Sequence, residues 1–400
     1  MEEKREEAEK TVENKNFIKV NKGLLPLSWL YGLGVKFRNF LFETNVLKSR
    51  SYSTPVISVG NITVGGTGKT PHVEYLVRLL KDKMKTAVLS RGYKRKSKGF
   101  VLAKPDSTMA DLGDEPFQMK RKFPEIMVAV DKKRTRGIDL LTSMPDHPEV
   151  IILDDAFQHR YVKPGINILL VDYHRLIIHD RLLPAGRLRE PLTGKNRADI
   201  VMITKCPKEL KPMEYRVLTK QMDIFPYQQL YFTTTDYEPL EPLFPEAPKA
   251  PTSIEGLNIL LLTGIASPKQ MHLDIERMKP ASIISLTYGD HHAFRKKDIR
   301  QINQTFAALP SPSLIVTTEK DAARLISVEG LSEEVRQHIY ALPLKITFMQ
   351  DGENMFNENI IGYVRKNSRD SILAQGKDDN KSKNSNRPGD GTGTISFRDN

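Results

Sequence analysis

At roughly 150 residues per domain the 400-residue chain allows two or three domains, and its 39% hydrophobic content excludes a wholly disordered protein. A balance of 61 Lys and Arg against 49 Asp and Glu gives a net charge of +12, which favours anionic partners (phosphate compounds, nucleic acid or acidic lipid) without choosing among them. The single cysteine, Cys206, excludes an internal disulfide and a Cys-based zinc site and fits a reducing compartment; with no secretory-type apolar run at the start, the cytoplasm is the default expectation.

Residues 1–15 and 366–400 are too polar to offset the entropy of ordering, so both ends are expected to be disordered. Leu24 to Val35 carries no charge, and Trp29, Tyr31, Phe37, Phe40 and Phe42 sit among leucines with Lys36 and Arg38 nearby. That run is too short for a span of about 20 residues. It reads either as an interfacial helix or as a helix packed on the domain, with Gly32 and Gly34 weakening the helical pattern. Beyond it, short apolar runs alternate with amphipathic stretches, which predicts βαβ units around a mostly parallel sheet. Strands are expected at 56–59, 86–89, 150–153, 166–171 and 200–204, and after the Pro-rich segment 239–251 at 258–263, 283–286 and 314–317. Two α/β domains with a boundary within 206–252 is the economical division.

The first strand runs into Gly60-Asn61-Ile62-Thr63-Val64-Gly65-Gly66-Thr67-Gly68-Lys69-Thr70, and an amphipathic helix follows. Strand, Gly-rich loop and helix in that order form a P-loop: backbone N–H groups make an anion nest, and the helix N-terminus adds positive potential. Lys69 is expected to reach the β- and γ-phosphates and Thr70 to offer its hydroxyl to Mg²⁺. Thr63 stands where the strict pattern has glycine, so the first residue of the turn departs from it. A P-loop also needs a carboxylate at the end of a neighbouring strand. Val150 to Leu153 followed by Asp154-Asp155 supplies one, with Asp154 on the metal side and Gln158 and His159 within a turn. After the strand at 200–204, Thr204-Lys205 is followed by Cys206-Pro207, without the Asp that reads guanine, which argues against GTP.

Other polar clusters suit phosphoryl transfer, which needs a base near the acceptor and positive charge around the transferred group. They are Ser90-Arg91-Gly92-Tyr93, Gly113-Asp114-Glu115-Pro116, Arg187-Leu188-Arg189-Glu190-Pro191 and Gly289-Asp290-His291-His292. Singly, each reads as a surface turn. Adjacent histidines without helical spacing do not by themselves indicate a metal.

Taken in order with Pro184-Ala185-Gly186 and Thr318-Glu319-Lys320-Asp321, these segments make the stretch from about Leu24 to Arg365 resemble the tetraacyldisaccharide 4′-kinase family of lipid A biosynthesis. The resemblance implies a P-loop NTPase-like three-layer α/β/α domain and a second, smaller α/β/α domain, with the active site between them. It divides the chain into a polar extension (1–22), an amphipathic membrane-associated helix (23–47), the P-loop kinase domain (48–225), a second α/β domain (226–365) and a tail (366–400). It implies ATP and Mg²⁺, an acylated glucosamine disaccharide 1-phosphate as acceptor, no nucleic acid, and a peripheral place on the cytoplasmic face of the inner membrane. By the same resemblance Asp114 is the base, assisted by His291 or, less directly, His292; Arg91 contacts phosphate; and Asp154 and Asp155 form the metal-side pair with Thr70. Glu115, His159, Arg189 and Glu190 line the cleft. The rival from another class is a P-loop ATPase or metallochaperone-like switch that phosphorylates no small substrate.

Overall fold

The apolar runs form the strands of two sheets in the computed structural model, which describes residues 18, 20–265, 268–290 and 292–367. The first eight strands are β1 (Val56–Gly60), β2 (Thr86–Ser90), β3 (Val101–Leu102), β4 (Met127–Val130), β5 (Val150–Asp154), β6 (Ile166–Asp172), β7 (Ile200–Thr204) and β8 (Gln229–Tyr237). They are followed by β9 (Glu241–Pro242), β10 (Asn258–Thr263), β11 (Ser282–Thr287), β12 (Ser313–Thr318), β13 (Ile339–Leu342) and β14 (Leu344–Phe348). Among the described residues a nine-stranded sheet runs β14-β8-β7-β6-β1-β5-β2-β4-β3 and a five-stranded sheet runs β11-β10-β12-β13-β9. In the larger sheet β8 through β4 are parallel, and antiparallel β14 and β3 close its edges. The smaller sheet is parallel except for β9.

Parallel strands are covered on both faces, which is why β1, β5 and β7 are buried along their whole length and read as mostly apolar runs, without polar alternation. Five helices matter for the site: α1 (Leu25–Glu43), α2 (Lys69–Leu80), α3 (Asp114–Lys122), α4 (Glu319–Leu325) and α5 (residues 352–367). Helix α2 buries Val73, Leu76, Val77 and Leu80 against the larger sheet, the spacing of a helical stripe. Phe356, Ile360 and Val364 of α5 join the same core.

The division expected between 226 and 365 differs from this layout. Strands β8 and β14 lie in the larger sheet, pairing Thr233 with Phe348 and Tyr237 with Leu344, and α5 packs on that sheet too. The smaller sheet is therefore an excursion between β8 and β14, from which the chain returns. Local periodicity cannot register a pairing between segments so far apart in sequence.

Helix α1 begins with proline in its first turn, where the missing N–H costs nothing. Its inner side is fastened through three side chains. Ser28 Oγ donates to the Leu182 carbonyl at 3.0 Å and accepts from Ala185 N at 2.9 Å. Tyr31 donates to the Arg189 carbonyl at 2.7 Å, and Arg38 to that of Gln158 at 3.0 Å. The outer side is apolar and uncovered, with Trp29 73% exposed and Phe37 62% exposed. No described helix is long and apolar enough to cross a membrane.

Candidate active site

The loop between β1 and α2 is shaped by glycine and pinned from β7. Gly65 and Gly68 have φ of +125° and +81°, in the range that side chains rarely adopt, the backbone freedom that an anion nest requires. Asn61 Nδ2 spans the loop to Thr67 Oγ1 at 2.8 Å. Thr204 Oγ1 donates to the Thr67 carbonyl at 2.9 Å, and Lys205 bonds both the Gly66 carbonyl and, at 2.7 Å, Asp172. Thr63 is buried with Val64 exposed beside it, and Thr63 has no positive φ. It forms an antiparallel bridge with Leu188, flanked by Val64 N to the Arg187 carbonyl (2.8 Å) and Arg189 N to the Ile62 carbonyl (2.7 Å). An extended residue in a bridge has no need of glycine, which explains the departure from the strict pattern.

His72, one turn into α2, supports the loop from behind. Its Nδ1 lies 2.7 Å from the Gly68 carbonyl and its Nε2 3.0 Å from Thr233 Oγ1. A carbonyl only accepts, so Nδ1 carries the proton and the Thr233 hydroxyl donates to Nε2. Burial depresses the imidazole to about 4, keeping it neutral.

Strand β5 delivers the two aspartates beside this loop. Asp154 is buried, and Ser90 donates to its Oδ2 at 3.2 Å. Burial, then Glu115 and Asp155, push its carboxyl up to about 7. Its Oδ1 is buried without a hydrogen-bond partner among the described residues. Asp155 adopts φ +48° and meets Lys69 at 3.5 Å and Arg189 at 3.3 Å. Burial works against its charge, but Lys69 and Arg189 hold it below the usual carboxylate range. Thr70 Oγ1 lies 3.4 Å from Glu115 Oε1. No three His, Cys, Asp or Glu side chains form a cage among the described residues. Mg²⁺ does not require one, because it takes one or two carboxylates plus phosphate oxygens. The orphaned Asp154 oxygen, the crowding of like charges and the hard oxygen donors all fit that ion.

Helix α3 opens with Asp114 and Glu115 in its first turn, where the helix dipole favours carboxylates. Gly113 precedes them at φ +89°, and a Cβ there would lie 2.6 Å from the Tyr93 carbonyl. The Ser90–Tyr93 and Gly113–Pro116 segments, distant in sequence, are thus packed together. Arg324 Nη2 bonds Asp114 at 2.8 Å and Lys320 bonds Glu115 at 2.8 Å, both reaching across from α4. Burial opposes the charge of Glu115, yet Lys320 and Lys69 keep it low.

The remaining candidates divide. Arg91 leaves the end of β2, exposed, and its charge acts on Arg134 and His159. His159 is held down to about 4 by burial and by Arg134, Arg38 and Arg91, so it is neutral. Glu190 is buried and tied to Arg197 at 2.8 Å and to Gln158 Nε2 at 3.0 Å. Gln158 Nε2 also bonds the Asn61 carbonyl at 2.6 Å, which links Glu190 to the loop through one amide. His291 lies outside the described residues. His292 is engaged within the smaller sheet's own layer, 2.9 Å from Asp298 and stacked on Tyr288 at 4.7 Å. Sequence reasoning missed His72 and Arg324 as parts of this site, and named Ser90 and Lys320 only within motifs, without a role. The Thr318–Asp321 segment was a signal for Lys320; Arg324 had none.

A Gly-rich loop, a lysine and neighbouring carboxylates at the C-terminal ends of the central strands β1 and β5 are parts that phosphoryl transfer needs. The family model for tetraacyldisaccharide-1-P 4′-kinase, LpxK, matches residues 20–363. A Phocaeicola vulgatus protein named tetraacyldisaccharide 4′-kinase is 57% identical over 363 residues, covering 89% of this chain and 98% of its own. One of the same name from Bacteroides thetaiotaomicron is 51% identical over 373 residues, covering 90% and 98%. The crystal structure of "apo" form LpxK from Aquifex aeolicus in complex with ATP superposes with a TM-score of 0.66 at 29% identity, over 86% of this chain and 98% of that one. The chain belongs to the tetraacyldisaccharide 4′-kinase family.

Proposed function

We propose that the protein transfers the γ-phosphate of ATP to the 4′-hydroxyl of tetraacyldisaccharide 1-phosphate, forming the 1,4′-bisphosphate of lipid A biosynthesis. The observation that carries this reading is the gathering of Lys69, Thr70 and Glu115 around the two aspartates at the end of β5, in a chain of this family. In the reaction the acceptor oxygen bonds the γ-phosphorus as the β,γ-bridging P–O bond breaks, ADP leaves, and Asp114 takes the hydroxyl proton. Lys69 and the loop amides hold the phosphates and spread the developing charge. Arg91 adds positive charge from β2, and Arg189 fixes Asp155. His291 assists Asp114 by the family resemblance. Thr70, Asp154 and Asp155 would hold Mg²⁺, which would supply positive charge to offset that of the phosphates.

The acceptor is a lipid, and α1 suits its delivery. Leu30, Leu33 and Phe37 lie uncovered on the outer face, with Lys36 beside them for anionic headgroups. The protein accordingly sits peripherally on the cytoplasmic face of the inner membrane. Incubation with labelled ATP, Mg²⁺ and the acylated disaccharide 1-phosphate should yield a doubly phosphorylated lipid. ATP turnover without that product would replace this reading with the ATPase switch.

A further inference from the structure

Helix α4 belongs to the smaller sheet's layer and α3 to the larger sheet's, yet two cations of α4 close on two carboxylates of α3. Lys320 and Arg324 are four residues apart, so they share one face of the helix. Lys320 takes Glu115, whose Oε1 also receives Thr70 Oγ1. Arg324 takes Asp114 through two donors on one oxygen, Nε at 3.2 Å and Nη2 at 2.8 Å. Its third nitrogen turns inward: Nη1 bonds Asp321 at 2.8 Å and the Gly264 carbonyl at 3.3 Å.

That division of the guanidinium is informative. Asp321 is fully buried and is further bonded by Gly264 N at 2.8 Å and by the Thr318 hydroxyl at 2.7 Å. It therefore anchors the arginine within its own layer. The other two donors are held out across the interface in the plane of the guanidinium and converge on Asp114 Oδ2, so the rigid guanidinium fixes where that oxygen lies.

We propose that Arg324 is a positioning residue for the reaction: anchored by Asp321, it orients the Asp114 carboxylate, so that the base is set only when the smaller sheet's layer is seated on the larger. The proposal rests on Asp114 being the base. A cation on a base weakens it as a proton acceptor. In phosphoryl transfer through a loose transition state this loss is minor, since positioning supplies most of the acceleration. Arginine on the base therefore exchanges basicity for alignment, and ties alignment to closure of the cleft.

The test is a double-mutant cycle on the full-length protein with ATP, Mg²⁺ and the acylated disaccharide 1-phosphate. R324Q should lower kcat at least about tenfold while the KM for ATP moves less than about threefold. R324K, which keeps the charge but loses the fork, should recover part of that loss. In the D114N background R324Q should cost nothing further, because the arginine acts through that carboxylate. A merely structural arginine would slow both backgrounds alike, and that result, or parental kcat in R324Q, overturns the proposal. If R324Q does not fold, as judged by lost ATP binding, the cycle is read on R324K with an expected loss of about threefold or more. Parental kcat in D114N would instead overturn the base assignment, whatever Arg324 does.

Discussion

Lys69 faces Asp155 at 3.5 Å, and in the proposed reaction it exchanges that partner for the phosphates of ATP. Lys69→Ala should lower kcat by about 10²–10³, the usual cost of removing a group that stabilises transition-state charge. Asp114 is held by Arg324 from α4 and is proposed as base, not as a nucleotide ligand, so Asp114→Ala should lower kcat to a similar extent while leaving ATP affinity, measured by equilibrium binding, within about threefold. Equal loss of ATP binding in that variant would remove Asp114 from the base role. Lys69, Thr70 and Asp154 were legible in the sequence because each lies in a contiguous motif whose chemistry dictates its residue type. The pairing of Asp155 with Arg189 was not, since it joins a left-handed residue after β5 to a loop that reaches it only by bridging Thr63.

Helix α1 shows how local propensity is overridden. Gly32 and Gly34 weaken it as a sequence, yet it forms, since Ser28, Tyr31 and Arg38 dock one side. The two glycines are not equivalent. A Cβ at Gly34 meets nothing within 4 Å, whereas one at Gly32 lies 2.7 Å from Leu182 Cδ1. Gly34→Ala should therefore raise stability by about 0.5–1 kcal/mol in thermal or denaturant unfolding, and Gly32→Ala should gain less because the Leu182 tip must move. For the outer face, the paired change Trp29→Asp with Phe37→Asp should abolish sedimentation with anionic vesicles and lower activity on the lipid substrate, with ATP binding unchanged. Activity on lipid at the parental level would sink the membrane role of α1.

At the scale of the whole molecule, the two sheets are joined by more than the chain crossings. Lys122 of α3 bonds Glu74 of α2 at 2.7 Å and also Glu319 of α4, while Glu319 accepts from Leu344 N at 3.2 Å. Burial, then the neighbouring Glu319, outweigh Lys122 and raise Glu74 from its ordinary 4.5 to about 7. The folded protein thus binds a proton that the unfolded chain has released across pH 4.5 to 7. The corresponding stability is complete below that window and is lost as pH rises through about 7. Glu74→Gln removes this dependence, so its stability relative to the parent should improve between pH 5 and pH 8 by on the order of 1–3 kcal/mol, read from unfolding curves at both pH values. A pH-independent difference would show that Glu74 stays ionised.

The sequence by itself determined the strands around β1, the phosphate loop, the aspartates after β5 and the family, because each is written in contiguous residues whose spacing follows from backbone geometry. Tertiary structure alone decided that β14 and α5 return to the larger sheet, that the Tyr93 backbone packs against Gly113, and that α4 sets two cations on the carboxylates of α3. Those features depend on which surfaces meet after folding, and contacts between segments that are not neighbours in sequence leave no local period to read.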